Sequence, residues 1–132
     1  MVNDLWALLV HDRDEPVQTL ERILTEMGIE TWHVRSCGEA RAAFQGESIP
    51  NLVLTDTSLP DGSWLDVLKA AASAPVRPPV LVVSRLVDMR LYLDVLESGA
   101  HDFVVPTLTR AEVAHIIGGA IPNRRRAAAG TG

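Results

Sequence analysis

The chain has 132 residues, 47% of them apolar and 22% charged, with a formal net charge of −5. That is the size and composition of one globular domain, and the lone cysteine, Cys37, excludes an intramolecular disulfide scaffold or a cysteine zinc site while pointing to a reducing compartment. No apolar run approaches the roughly 20 residues that span a bilayer, the first residues lack a basic signal-peptide start, and the acidity offers no global attraction to nucleic acid, so a cytoplasmic protein without membrane contact is expected.

Residues 5–11 open the chain as a nearly solid apolar run, as in a strand covered on both faces. Asp14 precedes Glu15 and Pro16 as a helix cap, and Leu20, Ile23, Leu24 and Met27 follow at helical spacing until Gly28. Residues 30–34 are mixed in polarity and predict an edge strand, followed by a helix from about Gly38 to Phe44. Residues 51–56 predict a third strand, and Ser63 with Asp66 a loose capping box for a third helix. A fourth strand over 79–84 leads into a helix from Leu86 to Leu96 that stops near Gly99. A last strand over 102–105 precedes a helix opened by Thr109 and Glu112. Residues 123–132 hold Arg124, Arg125 and Arg126 without apolar periodicity and read as a tail or linker behind a domain over 1–122. Five strands alternating with five helices predict an α/β architecture with a parallel sheet covered on both faces.

Ligands of such sheets bind where the carboxyl ends of neighbouring strands meet and their connections leave in opposite directions. The residues at those ends are His11 and Asp12, Asp56 and Thr57, Ser84 and Arg85, and Val105, Pro106 and Thr107. Carboxylates gathered there repel unless one is protonated or a cation lies between them, and oxygen donors favour Mg²⁺ over softer metals.

Four segments carry a family resemblance: residues 9–16, with the acidic loop after the first strand; 51–62, with Asp56 and then Ser58, Leu59, Pro60, Asp61 and Gly62; 82–84; and 99–104. In their order and spacing the chain resembles, over residues 5–121, the receiver domain of bacterial two-component response regulators. The resemblance implies a flavodoxin-like three-layer sandwich with strand order 2-1-3-4-5, acting in phosphorelay signalling and not as an enzyme. It implies Asp56 as phosphoacceptor; Asp12, Asp56 and the Ser58 carbonyl as Mg²⁺ ligands; Ser84 as hydroxyl donor to the phosphoryl group; and Phe103 as the aromatic residue that changes rotamer. It also implies a histidine kinase or other signalling protein as partner, and an output face built from the Leu86 helix, the last strand and the Thr109 helix.

The chain departs from that family at three positions. The usual lysine after the fifth strand is missing around Pro106; Lys69, the only lysine, falls on the third helix. A unit charge about 4 Å away is worth on the order of 4 kcal/mol at an effective dielectric near 20, so its loss weakens phosphoryl stabilisation. His11 stands where the family has a first acid, which removes a charge from the Mg²⁺ site; it reads as a structural histidine as readily as a pH switch or ligand. Arg85 follows Ser84 where a small residue is usual, and its guanidinium is suited to a phosphate or to Asp56 itself.

The expectation is therefore a receiver with weakened or absent dependence on Asp56 phosphorylation and output by protein contact, including a homodimer through the Leu86 helix, whose apolar positions exceed one buried face. The alternative is a conventional receiver phosphorylated on Asp56, with Arg85 covering for the lysine. A flavodoxin-like enzyme ranks lower because no glycine-rich phosphate loop follows the first strand. Nucleic acid is expected only through an effector domain outside this chain.

Overall fold

Strands and helices alternate in the computed structural model, which describes residues 5–13, 17–105 and 107–121. In chain order they are β1 (Trp6–Val10), α1 (Val17–Glu26), β2 (Glu30–Val34), α2 (Cys37–Phe44), β3 (Leu52–Asp56), β4 (Ser58–Leu59), β5 (Gly62–Ser63), α3 (Trp64–Ala72), β6 (Val80–Val83), α4 (Met89–Glu97), β7 (Asp102–Val104) and α5 (Arg110–Ala120). The main sheet is parallel in the order β2-β1-β3-β6-β7, the expected 2-1-3-4-5 arrangement once the small β4/β5 ladder is set aside.

Successive strand residues point to opposite faces, so each central strand contributes to two cores. Ala7, Leu9, Leu52, Leu54, Leu81 and Val83 pack with α1 and α5. Leu8, Val10, Val53, Val80 and Val82 pack with α2, α3 and α4 around Phe44, Val67 and Val95. That alternation is why the strands read as solid apolar runs. β2 lies at the edge and buries only Val34 among its five residues, which explains its mixed polarity.

Helix ends follow local chemistry. Gly28 and Gly99, at φ +79° and +99°, end α1 and α4 in paired backbone bonds: Ile29 N to Leu24 O with Gly28 N to Thr25 O, and Ala100 N to Val95 O with Gly99 N to Leu96 O. α3 and α5 open with full capping boxes, Ser63 with Asp66 and Thr109 with Glu112. An Arg110–Glu26 ion pair ties α5 to α1.

Two sequence expectations are corrected. The fourth helix starts at Met89, not Leu86, because Asp88 accepts from Arg90 N and Leu91 N at 3.1 Å and caps it there. Leu86 and Val87 lie in the preceding loop. The Pro60-Asp61 turn is bracketed by an antiparallel ladder, Ser58 with Ser63 and Leu59 with Gly62, too short to register as strands in the sequence. The cap at Asp14, Glu15 and Pro16, the Pro106 position, and the segment over 123–132 lie outside the described residues.

Candidate functional site

Sheet register assembles the site. Val10 pairs with Thr55 across β1 and β3, so the next residues, His11 and Asp56, emerge side by side. Asp56 pairs with Val83 across β3 and β6, which brings Ser84 and Arg85 alongside it. The result is a cleft of about 460 Å³ whose lining includes Asp12, Asp56, Ser58, Ser84, Arg85 and Leu91. The structure thus gathers every residue expected at the phosphoacceptor and metal positions.

Asp56 is buried, with both carboxylate oxygens engaged. Oδ1 accepts from Thr57 N at 2.7 Å, with Thr57 Oγ1 at 3.5 Å, and Oδ2 accepts from Arg85 Nη2 at 2.7 Å. Arg85 is 30% exposed against 8% for Asp56, so the pair sits at the mouth of the cleft with its anionic half inside. Arg85 Nε is buried without a hydrogen-bond partner. A buried donor in that state favours an arriving oxygen acceptor over an arriving cation.

Ser84 is buried, and its hydroxyl closes its own turn: Oγ donates to Leu86 O at 2.7 Å and accepts from Leu86 N at 3.1 Å. Its proton is committed to the loop ahead of α4 and not to Asp56. Phe103 is buried on β7, edge-on to Tyr92 of α4 with ring centroids 5.8 Å apart. Asp12 is exposed at the rim.

The donors available to Mg²⁺ are the Asp12 and Asp56 carboxylates and the Ser58 carbonyl. They are hard oxygens of the right kind. Among the described residues no group of three or more His, Cys, Asp or Glu side chains converges as a metal site, and the Arg85 guanidinium already holds one Asp56 oxygen. The donor set therefore fits Mg²⁺ in chemistry, and the adjacent Arg85 guanidinium works against it in charge.

Three features escaped the sequence reading. Thr57 anchors Asp56, with no signal beyond its position. Asp61 accepts from Cys37 N at 2.7 Å and Gly38 N at 3.0 Å, fastening the start of α2 to the β4/β5 turn. His11 is buried and joined to His33, at 2.9 Å between Nε2 and Nδ1, and through it to Glu21. Burial holds the His11 imidazole below its usual range, opposed by its bond to the Arg13 carbonyl; His33 and Arg35 act with burial and Asp56 against it.

A five-stranded parallel sheet in this order, with an aspartate at the end of its third strand facing a cleft, defines a flavodoxin-like receiver fold. The family model for the response regulator receiver domain matches residues 7–117, and the chain belongs to that family. It is 29% identical to the response regulator protein PilR of Pseudomonas aeruginosa over 115 residues, 87% of this chain and 26% of PilR. It is 26% identical to the cell cycle transcriptional regulator CtrA of Caulobacter vibrioides over 107 residues, 81% of this chain and 46% of CtrA. The chain thus spans about a quarter to a half of the length of these two curated relatives.

Among solved structures, a response regulator receiver domain protein from Clostridium thermocellum superposes with TM-score 0.76 at 20% identity, covering 92% of this chain and 97% of that one. The receiver domain of a sensor histidine kinase from Pseudomonas aeruginosa, solved with magnesium coordinated in its active-site cleft, gives 0.76 at 19% identity over 89% and 98%. At those identities the likeness speaks for the fold.

Proposed function

We propose that this receiver domain signals by protein contact, with Asp56 held in a standing ion pair to Arg85 and output that depends weakly or not at all on Asp56 phosphorylation. The observation that carries this reading is the 2.7 Å bond between Arg85 Nη2 and Asp56 Oδ2. In this reading the guanidinium rests on the carboxylate that would otherwise act as nucleophile, in a chain whose only lysine is Lys69 on α3. Partial neutralisation by a guanidinium lowers both the nucleophilicity of Asp56 and its attraction for a second cation.

In this reading Asp12, Asp56 and the Ser58 carbonyl would hold Mg²⁺, weakly and in competition with Arg85. When bound it would supply charge neutralisation to an incoming phosphoryl group. Asp56 orients through Thr57, and Ser84 reaches a phosphoryl oxygen only after releasing the Leu86 carbonyl. Phe103 stays packed on Tyr92 unless α4 moves. The interaction surface is the exposed apolar patch of Leu86, Val87, Met89 and Leu93, each more than half exposed, which suits a second copy of the chain or another signalling protein. The receiver unit is taken as 1–122, with 123–132 as tail or linker. A cytoplasmic location accords with the free, buried Cys37.

The second reading, a conventional receiver phosphorylated by a histidine kinase, is favoured by the meeting of Asp12, Asp56 and Ser84 at one cleft. There one Asp56 oxygen attacks phosphorus and the donor's leaving group departs, with Arg85 transferring from the carboxylate to a phosphoryl oxygen. Incubation with a small phosphodonor and Mg²⁺, read by intact mass, separates the two. Little or no adduct is expected. A stoichiometric adduct that Asp56→Asn abolishes would establish the second reading.

A further inference from the structure

Away from the cleft, where β1 and β2 begin, sheet register assembles a second pocket. Trp6 pairs with Glu30 across the two strands, and Leu8 pairs with Trp32. Alternation along the strands points Trp6, Glu30 and Trp32 to one face, the face that Leu8, Val10 and Val34 turn towards α2. There they line, with Thr31, Ala43 and Ser48, a pocket of about 400 Å³. Two of the three tryptophans in the chain meet at it.

The chemistry of the lining selects a ligand. Trp32 is 65% exposed, a large aromatic surface left in solvent. Trp6 packs against the core, and its Nε1 donates to Ser48 Oγ at 2.8 Å. That bond fixes the indole and satisfies its one polar atom, so the rest of the ring offers only apolar and π surface. Glu30 is exposed, and its carboxylate has no hydrogen-bond or ion-pair partner among the described residues. No basic residue lines the pocket. Indole rings attract cations through their quadrupole, and an unneutralised carboxylate adds a direct charge. A cation with N–H groups needs acceptors once it leaves water, and the Ser48 hydroxyl already serves Trp6. A quaternary ammonium has no N–H to satisfy, so it gives up least on entering.

We propose that this pocket is a binding site for a quaternary ammonium group, with Trp6 and Trp32 as its aromatic walls and Glu30 as its counter-charge. The net charge of −5 favours the approach of a cation from solution. The pocket shares no lining residue with the Asp56 cleft, so the inference stands whether or not Asp56 is phosphorylated and whether or not Mg²⁺ binds there.

The test is an NMR titration of the full chain with choline, reading the indole N–H signals. Those of Trp6 and Trp32 should shift along one saturating curve, while that of Trp64, which does not line the pocket, stays in place. The uncharged isostere 3,3-dimethylbutan-1-ol has the same shape without the charge and should bind about tenfold more weakly. Trp32→Ala, at an exposed position, should abolish the Trp6 response. Glu30→Gln should weaken choline about fivefold and leave the isostere unchanged. A short peptide with one trimethyllysine then separates two sources of the same group: tighter binding than choline places the ammonium on a partner chain, and weaker binding places it on a free small molecule. No response to choline, equal binding of choline and its isostere, an unchanged affinity in Glu30→Gln, or a Trp6 response that survives Trp32→Ala would each overturn the proposal.

Discussion

Arg85 donates to Asp56 across 2.7 Å, from the loop after β6 to the end of β3. The two residues are 29 positions apart in sequence and become neighbours because Asp56 and Val83 are in register. The pair turns an acidic cleft into one that carries its own cation.

Removing that cation leaves a buried carboxylate held by the Thr57 amide and, more weakly, the Thr57 hydroxyl. Arg85→Ala is expected to cost about 1–2 kcal/mol, less than for a fully buried pair because Arg85 is partly solvated. Arg85→Lys should recover part of it, since an ammonium restores charge without the planar fork. Urea unfolding of the two variants, with Asp56→Asn to close a double-mutant cycle, measures the coupling.

Cys37 should be inert in the folded protein. It is buried at the start of α2, and burial first, then the neighbouring Asp61 and Asp66 carboxylates, push its thiol up to about 11. The thiolate is the reactive form, so a disulfide exchange reagent at neutral pH should label Cys37 only as fast as the chain opens. Labelling kinetics with and without denaturant check this. Rapid stoichiometric labelling of the native protein would contradict it.

Asp61 predicts an acid limb to the stability profile. The Cys37 and Gly38 amides that it accepts hold its carboxyl below the ordinary value near 3.8. The folded state therefore binds this proton less readily than the unfolded state. The stability it contributes is present above the unfolded carboxyl range and is lost as pH falls through the lower folded value. Unfolding midpoints measured across the acid range should fall less steeply for Asp61→Ala than for wild type. Equal slopes would remove Asp61 from the account.

Apolar side chains on α4 and β7 should separate into two kinds. Phe103→Ala removes a buried ring packed on Tyr92 and should cost about 3–5 kcal/mol. Leu93→Ser and Met89→Ser, on the exposed patch, should change stability by no more than about 0.5 kcal/mol. The same two surface changes should weaken self-association or partner capture. Sedimentation velocity of wild type and the double surface variant reads that difference.

Much of this architecture was legible because burial on both faces writes the strands as unbroken runs of Leu and Val, and because Gly28, Gly99, Ser63 and Thr109 mark helix ends by local chemistry. Asp12, Asp56 and Ser84 could be placed together because each lies at or just past the carboxyl end of a strand of one parallel sheet. The start of α4 was misplaced for a physical reason: apolar periodicity continues back through Leu86 and Val87, whereas the helix is set by the Asp88 side chain, which periodicity does not weigh. The resemblance implied that the Ser84 hydroxyl donates to a phosphoryl group; its bond to the Leu86 backbone depends on a turn geometry invisible in composition. Glu21, His33 and His11 lie on three separate elements, and only the exact β1/β2 register makes them one line.

The central claim is that Arg85 occupies the place of an external cation on Asp56, and calorimetric Mg²⁺ titration of wild type and Arg85→Ala tests it most directly. If the guanidinium competes, its removal should tighten Mg²⁺ binding by about tenfold, the equivalent of roughly 1.4 kcal/mol. Mg²⁺ affinity that is unchanged or weaker in Arg85→Ala would contradict the account.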